Sequence, residues 1–292
     1  MTGYSIWVVE YAQVPSYPLS GLVYGMHNQG HRVLPYCYVV IKGQGHVAMV
    51  DVGYNHKAYG AVLAERYGAQ DWHSPTVALA QCGLKPSDVD TVFITHAHFD
   101  HMGNVEDFPN ARVYIQEREL TKWVWAMSLP QRFRWLMGGI DPYNIVQMAD
   151  FARQGRLVCV DGDREDVLPG IDIHAALDSH TWGSQYVTLR NDLARNSKDS
   201  WVFAGDLVYT QENLQGSDPA NPEYIPIGLA TGSQFNLLKT TDDMVQQAGG
   251  DTRRVIAVHE ARLKQMFPSR ITEPGLSITE LTLADGEPSR VA

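Results

Sequence analysis

Cysteine is scarce: three in 292 residues, Cys37, Cys82 and Cys159, an odd number without metal-site spacing. That excludes a disulfide framework and a cysteine-rich structural zinc site. Each cysteine lies among apolar neighbours and reads as a buried free thiol, suited to a reducing cytoplasm. Long apolar runs are missing as well. No stretch approaches the ~20 residues needed to cross a bilayer. The opening "MTGYSIWVVEYAQ" lacks the basic-then-apolar order of a secretory leader, so no membrane association is expected. Positive charge is in deficit, with 23 Lys and Arg against 33 Asp and Glu and a formal charge of −10. Phosphate backbones are bound by basic surfaces, so nucleic acid is excluded as a partner and a small molecule is favoured. There is no internal repeat and no low-complexity segment.

What is present begins as β structure. "SIWVVEYA" is followed by "VLPYCYVVIKG" and "GHVAMVDVG", joined across Gly43 to Gly45 as a hairpin. A helix enters after "DVGYN" and ends near Gly68. Another is framed by Ser74 as N-cap, Pro75 at the first helical position and Gly83 beyond the end. "VDTVFIT" and "ARVYIQ" read as strands. Residues 117–155 change to helical spacing with many aromatics, and "RLVCV", "IDIHAAL", "QYVTLR", "SWVFAG" and "RRVIAVH" resume the strands. Acidic "DGDRED", Asp161 to Asp166, reads as a solvated turn, and the tail after Phe267 has no clear place. The alternation predicts two β-sheets covered by helices.

The stretch "TVFITHAHFDHMGN" crowds His96, His98, Asp100 and His101 directly after an apolar strand. Imidazole and carboxylate suit zinc and similar divalent ions, and the lack of nearby cysteine favours a catalytic site with open positions. Polar residues just after other apolar strands supply further candidates: His180, Asp206 and His259. Seven ligands are enough for two metals sharing a carboxylate.

This order, HxHxDH followed by His, Asp and His, resembles the metallo-β-lactamase superfamily over most of the chain. The resemblance implies an αββα sandwich of two mixed sheets flanked by helices, one such domain over 1–292, with 117–155 as a helical insertion. It implies that His96, His98 and His180 hold one divalent ion and Asp100, His101 and His259 a second, with Asp206 bridging. Zinc is the first expectation, and manganese, iron or cobalt also suit the ligands. Asp51 in "AMVDVG" matches a strand-end aspartate that is structural in the family. Two ions ~3.5–4 Å apart activate a water for hydrolysis, and Asp100 would pass a proton to the leaving oxygen.

Within the superfamily the chain is similar to N-acyl homoserine lactonases. "HFDH" fits that branch, as does Tyr209, three positions after Asp206, where a lactonase tyrosine reaches the substrate carbonyl. "DSHTWGSQ" departs from the usual "GHTPGH", with Trp182 in place of proline and Gln185 in place of histidine. Ala97 stands where many lactonases have leucine. Trp182, Trp123, Trp125, Phe133 and Trp135 are candidates for an apolar substrate pocket, with 117–155 forming a lid or a homodimer contact. The expectation is a dinuclear hydrolase opening a lactone or cleaving a related ester of a small apolar molecule. The alternative is cleavage of an aryl ester, activated aryl ether or thioester on the same site, and a non-catalytic metal-binding relative is a third reading.

Overall fold

The first strand reports the architecture. In the computed structural model, which describes residues 3–216, 218, 220–273 and 275–292, β1 (Tyr4–Pro18) buries both of its faces. Tyr4, Ile6 and Val8 enter one core, while Trp7, Val9 and Tyr11 enter another on the opposite side. Side chains alternate along a strand, so a strand apolar on both sides must lie in a sheet covered on both faces.

That sheet has eight strands. β2 (His31–Gly43) and β3 (His46–Val50) form the expected hairpin. Gln44 and Gly45 both adopt positive φ, 51° and 82°, as a two-residue turn matched to strand twist requires. β4 (Thr91–Phe93), β5 (Arg112–Gln116) and β6 (Leu157–Val160) continue in parallel. The second sheet holds β7 (Arg164–Leu168), β8 (Ile171–Leu177), β9 (Gly183–Arg190), β10 (Ser200–Phe203) and β11 (Val255–Ile256), all antiparallel except the β10–β11 pair. β12 (Ser269–Ile271) and β13 (Ser277–Thr282) return to the first sheet, where β13 pairs with β1. The order is β12-β13-β1-β2-β3-β4-β5-β6 in the large sheet and β11-β10-β9-β8-β7 in the small one.

Between the sheets, Ile6, Val39, Ile41 and Phe93 meet Ile173, Val187, Leu189 and Phe203. Each such side chain contributes about 1.5–3 kcal/mol by leaving water. Helices Ala58–Tyr67, Pro75–Ala80 and Pro142–Arg153 cover the outer face of the large sheet through Leu63, Leu79 and Phe151, and helix Gln234–Gln247 covers the small sheet through Leu237 and Met244. Two mixed sheets flanked by helices are the expected αββα sandwich.

Three expectations need correction. "DGDRED" is not only a turn, because Arg164–Leu168 forms an edge strand. The tail after Phe267 supplies two strands of the main sheet. Cys37 and Cys82 are buried, but Cys159 is exposed, since β6 is the sheet's last strand and its alternation turns that side chain outward. No helix among the described residues is long and apolar enough to cross a membrane.

Candidate metal centre

Every predicted ligand follows a strand. Beyond β4 the Thr95 amide turns to Asp51 Oδ1 at 2.8 Å, and Thr95 Oγ1 donates to Asp51 Oδ2 at 2.8 Å. His96 comes next, then His98 as the N-cap of the short helix Phe99–Met102, which carries Asp100 and His101. His180 follows β8, Asp206 lies in a 3-10 turn after β10, and His259 follows β11. Gly205 delivers Asp206 with φ +53°, and a Cβ there would sit 2.6 Å from Thr95 Oγ1, so the turn requires glycine.

The structure brings all seven residues together, buried or nearly so. His96, His98, His180 and Asp206 form one group that could hold a metal ion, and Asp100, His101 and His259 a second. In the first, His98 Nδ1 lies 3.0 Å from both His96 Nε2 and His180 Nε2, and Asp206 Oδ2 lies 3.6 and 3.5 Å from those two Nε2 atoms. Ligands about 2.0–2.1 Å from a tetrahedral zinc stand about 3.3 Å apart, so these separations fit an ion at their centre. The other oxygen, Asp206 Oδ1, is 3.0 Å from both His101 Nε2 and His259 Nε2. Asp100 Oδ2 completes the second group, 3.5 Å from His101 Nε2 and 3.8 Å from His259 Nε2. One carboxylate therefore faces both groups.

Two of the facing atoms, His101 Nε2 and Asp206 Oδ1, are buried without a hydrogen-bond partner. Leaving buried polar groups unsatisfied costs roughly 1–3 kcal/mol each, a cost that a bound cation removes. The outer ring nitrogens are occupied instead. His101 Nδ1 meets Asp51 Oδ2 at 2.8 Å, His180 Nδ1 meets the Leu229 carbonyl at 3.0 Å, and His259 Nδ1 meets the Pro35 carbonyl at 2.6 Å. Holding Nδ1 as a donor leaves the Nε2 lone pair pointing inward.

The electrostatics divide the same way. Burial first, and neighbouring histidines next, hold His96 and His98 well below the usual imidazole range. Burial takes His180 down to about 4. All three are therefore neutral at pH 7, the state metal binding needs. Burial would raise Asp206, but His101, His259 and His96 hold it well below the usual carboxylate range. His101 and His259 move up despite burial because Asp206 faces them, and burial raises Asp100.

A cavity of about 440 Å³ opens on the His98 and His180 side, with Tyr17, Tyr67 and Trp135 among its walls. Of the predicted pocket aromatics, Trp135 lines it and is 74% exposed. Trp123 is fully buried with its ring 6.2 Å from His98, and Trp182 packs on Trp123 at 4.7 Å. Trp125 touches Trp182 and is half-exposed, while Phe133 is exposed and outside the cavity lining. The Tyr209 hydroxyl donates to Asp206 Oδ2 at 2.9 Å, with its ring edge-on to His180 and His259.

Glu119 escaped sequence reasoning. Fully buried on helix Glu117–Met127, it accepts from the Ala97 amide at 2.8 Å, Trp123 Nε1 at 2.8 Å, Thr181 Oγ1 at 2.7 Å and the Gly183 amide at 2.8 Å. One carboxylate thus ties the loop holding His96 and His98 to the loop holding His180. Burial raises its pKa and those four donors pull it back. The signal was an acid within the helix's buried stripe of Glu119, Trp123 and Ala126. Gly183 permits the approach, since a Cβ there would lie 2.2 Å from the Glu119 nitrogen.

Fold and site together define an αββα sandwich protein with two His/Asp groups at its strand ends that could hold metal ions. The profile of the metallo-beta-lactamase superfamily matches residues 32–259, and the chain belongs to that superfamily. N-acyl homoserine lactonase AiiB of Agrobacterium fabrum is 25% identical over 159 residues, 53% of this chain and 53% of that protein. The Mycobacterium tuberculosis protein named probable metallo-hydrolase Rv2300c is 37% identical over 60 residues, 20% of this chain and 19% of its own. The chain thus spans between about a fifth and about half the length of these curated relatives. Among solved structures, AidC, a dizinc quorum-quenching lactonase in complex with its product N-hexanoyl-L-homoserine, superposes with a TM-score of 0.64. It is 16% identical, over 98% of this chain and 97% of that one, a likeness of fold.

Proposed function

We propose that the chain is a metal-dependent hydrolase that opens a lactone or cleaves a related ester of a small molecule. The observation that carries this reading is Asp206, whose two oxygens each face one histidine group. In this reading His96, His98, His180 and Asp206 hold one divalent ion, and Asp100, His101, His259 and Asp206 a second, with zinc the first choice. Bound ions supply an activated water at neutral pH and Lewis acidity toward a carbonyl. The chain's own groups do the rest. Tyr209, held protonated by burial and by Asp206, keeps a phenolic hydrogen to donate to a substrate carbonyl. Asp100 carries a proton toward the leaving oxygen. The 117–155 helices close one side of the cavity as a lid through Trp135 and Leu136, within one domain acting in the cytoplasm.

The test is proton release from N-hexanoyl and longer-acyl homoserine lactones by zinc-loaded protein, beside a chelated control. Chelator-sensitive acid production supports lactone opening. Two bound metals with no release would remove the lactone and leave aryl esters or ethers, which the aromatic walls of the cavity favour. Tyr209→Phe is expected to lower kcat by about 10- to 100-fold with metal content unchanged, and parental turnover would refute its role.

A further inference from the structure

We propose that the substrate carries an oxyanion group, such as a carboxylate, gripped by Arg66 and Arg134 at the rim of the cavity over His98 and His180. The proposal rests on reading that cavity as the substrate pocket. Two arginines line it and no aspartate or glutamate does, in a chain whose acids exceed its bases by 33 to 23. They arrive from separate elements: Arg66 from the last turn of helix Ala58–Tyr67, Arg134 from the 3-10 segment Gln131–Met137 of the insertion. Among the described residues neither guanidinium is ion-paired. Arg66 Nη1 reaches the Gly138 carbonyl at a long 3.5 Å.

A second cavity in the same molecule gives the contrast. It is also lined by two arginines, Arg32 and Arg262, but Glu212 stands between them and pairs with both, at 2.7 and 2.5 Å. There the positive charge is neutralised internally. Over the metal centre it is left for a ligand. Guanidinium forks match carboxylates bidentately, and the substrate body would lie across Tyr67 and Trp135 toward His98 and His180. A neutral apolar acyl chain would gain nothing from these two groups and would desolvate them. The local positive field also draws an anion toward an otherwise negative protein.

The test uses matched lactones, phthalide and its 5-carboxylate, with the zinc-loaded full chain. The carboxylate is expected to win in kcat/KM by about 10- to 100-fold, chiefly through KM. Arg66→Gln and Arg134→Gln should each pull that ratio toward unity by about threefold to tenfold, and added salt should do the same because both groups are exposed. A ratio unmoved by both substitutions overturns the proposal, whatever the absolute rates. If neither lactone is opened, the lactone-opening reading is what has failed, and binding then decides the present one. Calorimetric titration of phenylacetate into wild type and the Arg66→Gln/Arg134→Gln double variant should show at least tenfold weaker binding by the variant at equal metal content. Equal affinities, the signature of an anion sitting on the metals alone, would again overturn it.

Discussion

Removing the carboxylate at position 119 tests how the centre is held together. In Glu119→Ala the Ala97 and Gly183 amides and Trp123 Nε1 lose their acceptor in a fully buried site, while Thr181 Oγ1 keeps Ser184 Oγ at 2.7 Å. Three orphaned donors at about 1–2 kcal/mol each give about 3–6 kcal/mol. Relief from burying a charge with no cation beside it offsets part of that, leaving a net loss of about 2–4 kcal/mol. Glu119→Gln separates the terms. Its carbonyl can still accept from the Ala97 amide and the indole, but its NH₂ then faces Thr181 Oγ1, which can turn to accept, and the Gly183 amide, which cannot. One unmatched donor pair puts it at about 1–3 kcal/mol, between alanine and wild type. Urea unfolding with matched m-values measures the order, and zinc analysis after gel filtration shows whether metal falls with it. If alanine costs under about 0.5 kcal/mol, or glutamine costs more than alanine, the account of Glu119 as the clamp between the two loops is wrong.

Asp206→Ala should cut metal content at both groups, since each loses an oxygen; full retention of two metals per chain would remove the bridging role. Gly183→Ala forces a methyl group against the Glu119 backbone and should destabilise by about 2 kcal/mol or more, read as a lower thermal midpoint. Although burial pushes Glu212 up, bonds from Arg262 and Arg32 hold it at about 2 against an ordinary 4.5. Its folded value is depressed, so its contribution is complete above the unfolded value and is lost as pH falls from about 4.5 toward 2. Solvent around the arginines limits it to about 1 kcal/mol. The stability gap between wild type and Glu212→Gln should therefore shrink between pH 5.5 and 3, and a constant gap would contradict the assignment.

The seven candidate ligand positions were legible because each lies in the segment that follows an apolar strand, and four are crowded into six residues. The hairpin at Gln44–Gly45 and the Ser74 cap were legible because turn and cap chemistry is local. What escaped is non-local. β13 finds β1 across the whole chain, with Thr282 opposite Ile6, and a short polar-apolar strand such as "SITELT" gives no hint of so distant a partner. The groups orienting His180 and His259 are backbone carbonyls of Leu229 and Pro35, which any residue provides. Arg66 and Arg134 are unremarkable in their own helical segments, and only tertiary packing sets them at one rim.

The candidate ligands come from both layers of the sandwich. His96 to His101 follow a strand of the large sheet, whereas His180, Asp206 and His259 follow three strands of the small one. During synthesis the first cluster emerges early, yet it has no counterpart until the chain has been made as far as His259 and the layers have docked. A metal ion arriving sooner meets only a short flexible peptide of three histidines and an aspartate, without the residues that complete either group. In the proposed reading, high-affinity loading would therefore be a late step, one that reports successful assembly. If the chain is loaded as proposed, an ion at a thousand times its dissociation constant adds about 4 kcal/mol against parting the two sheets, so withdrawing metal would lower stability as well as the proposed activity.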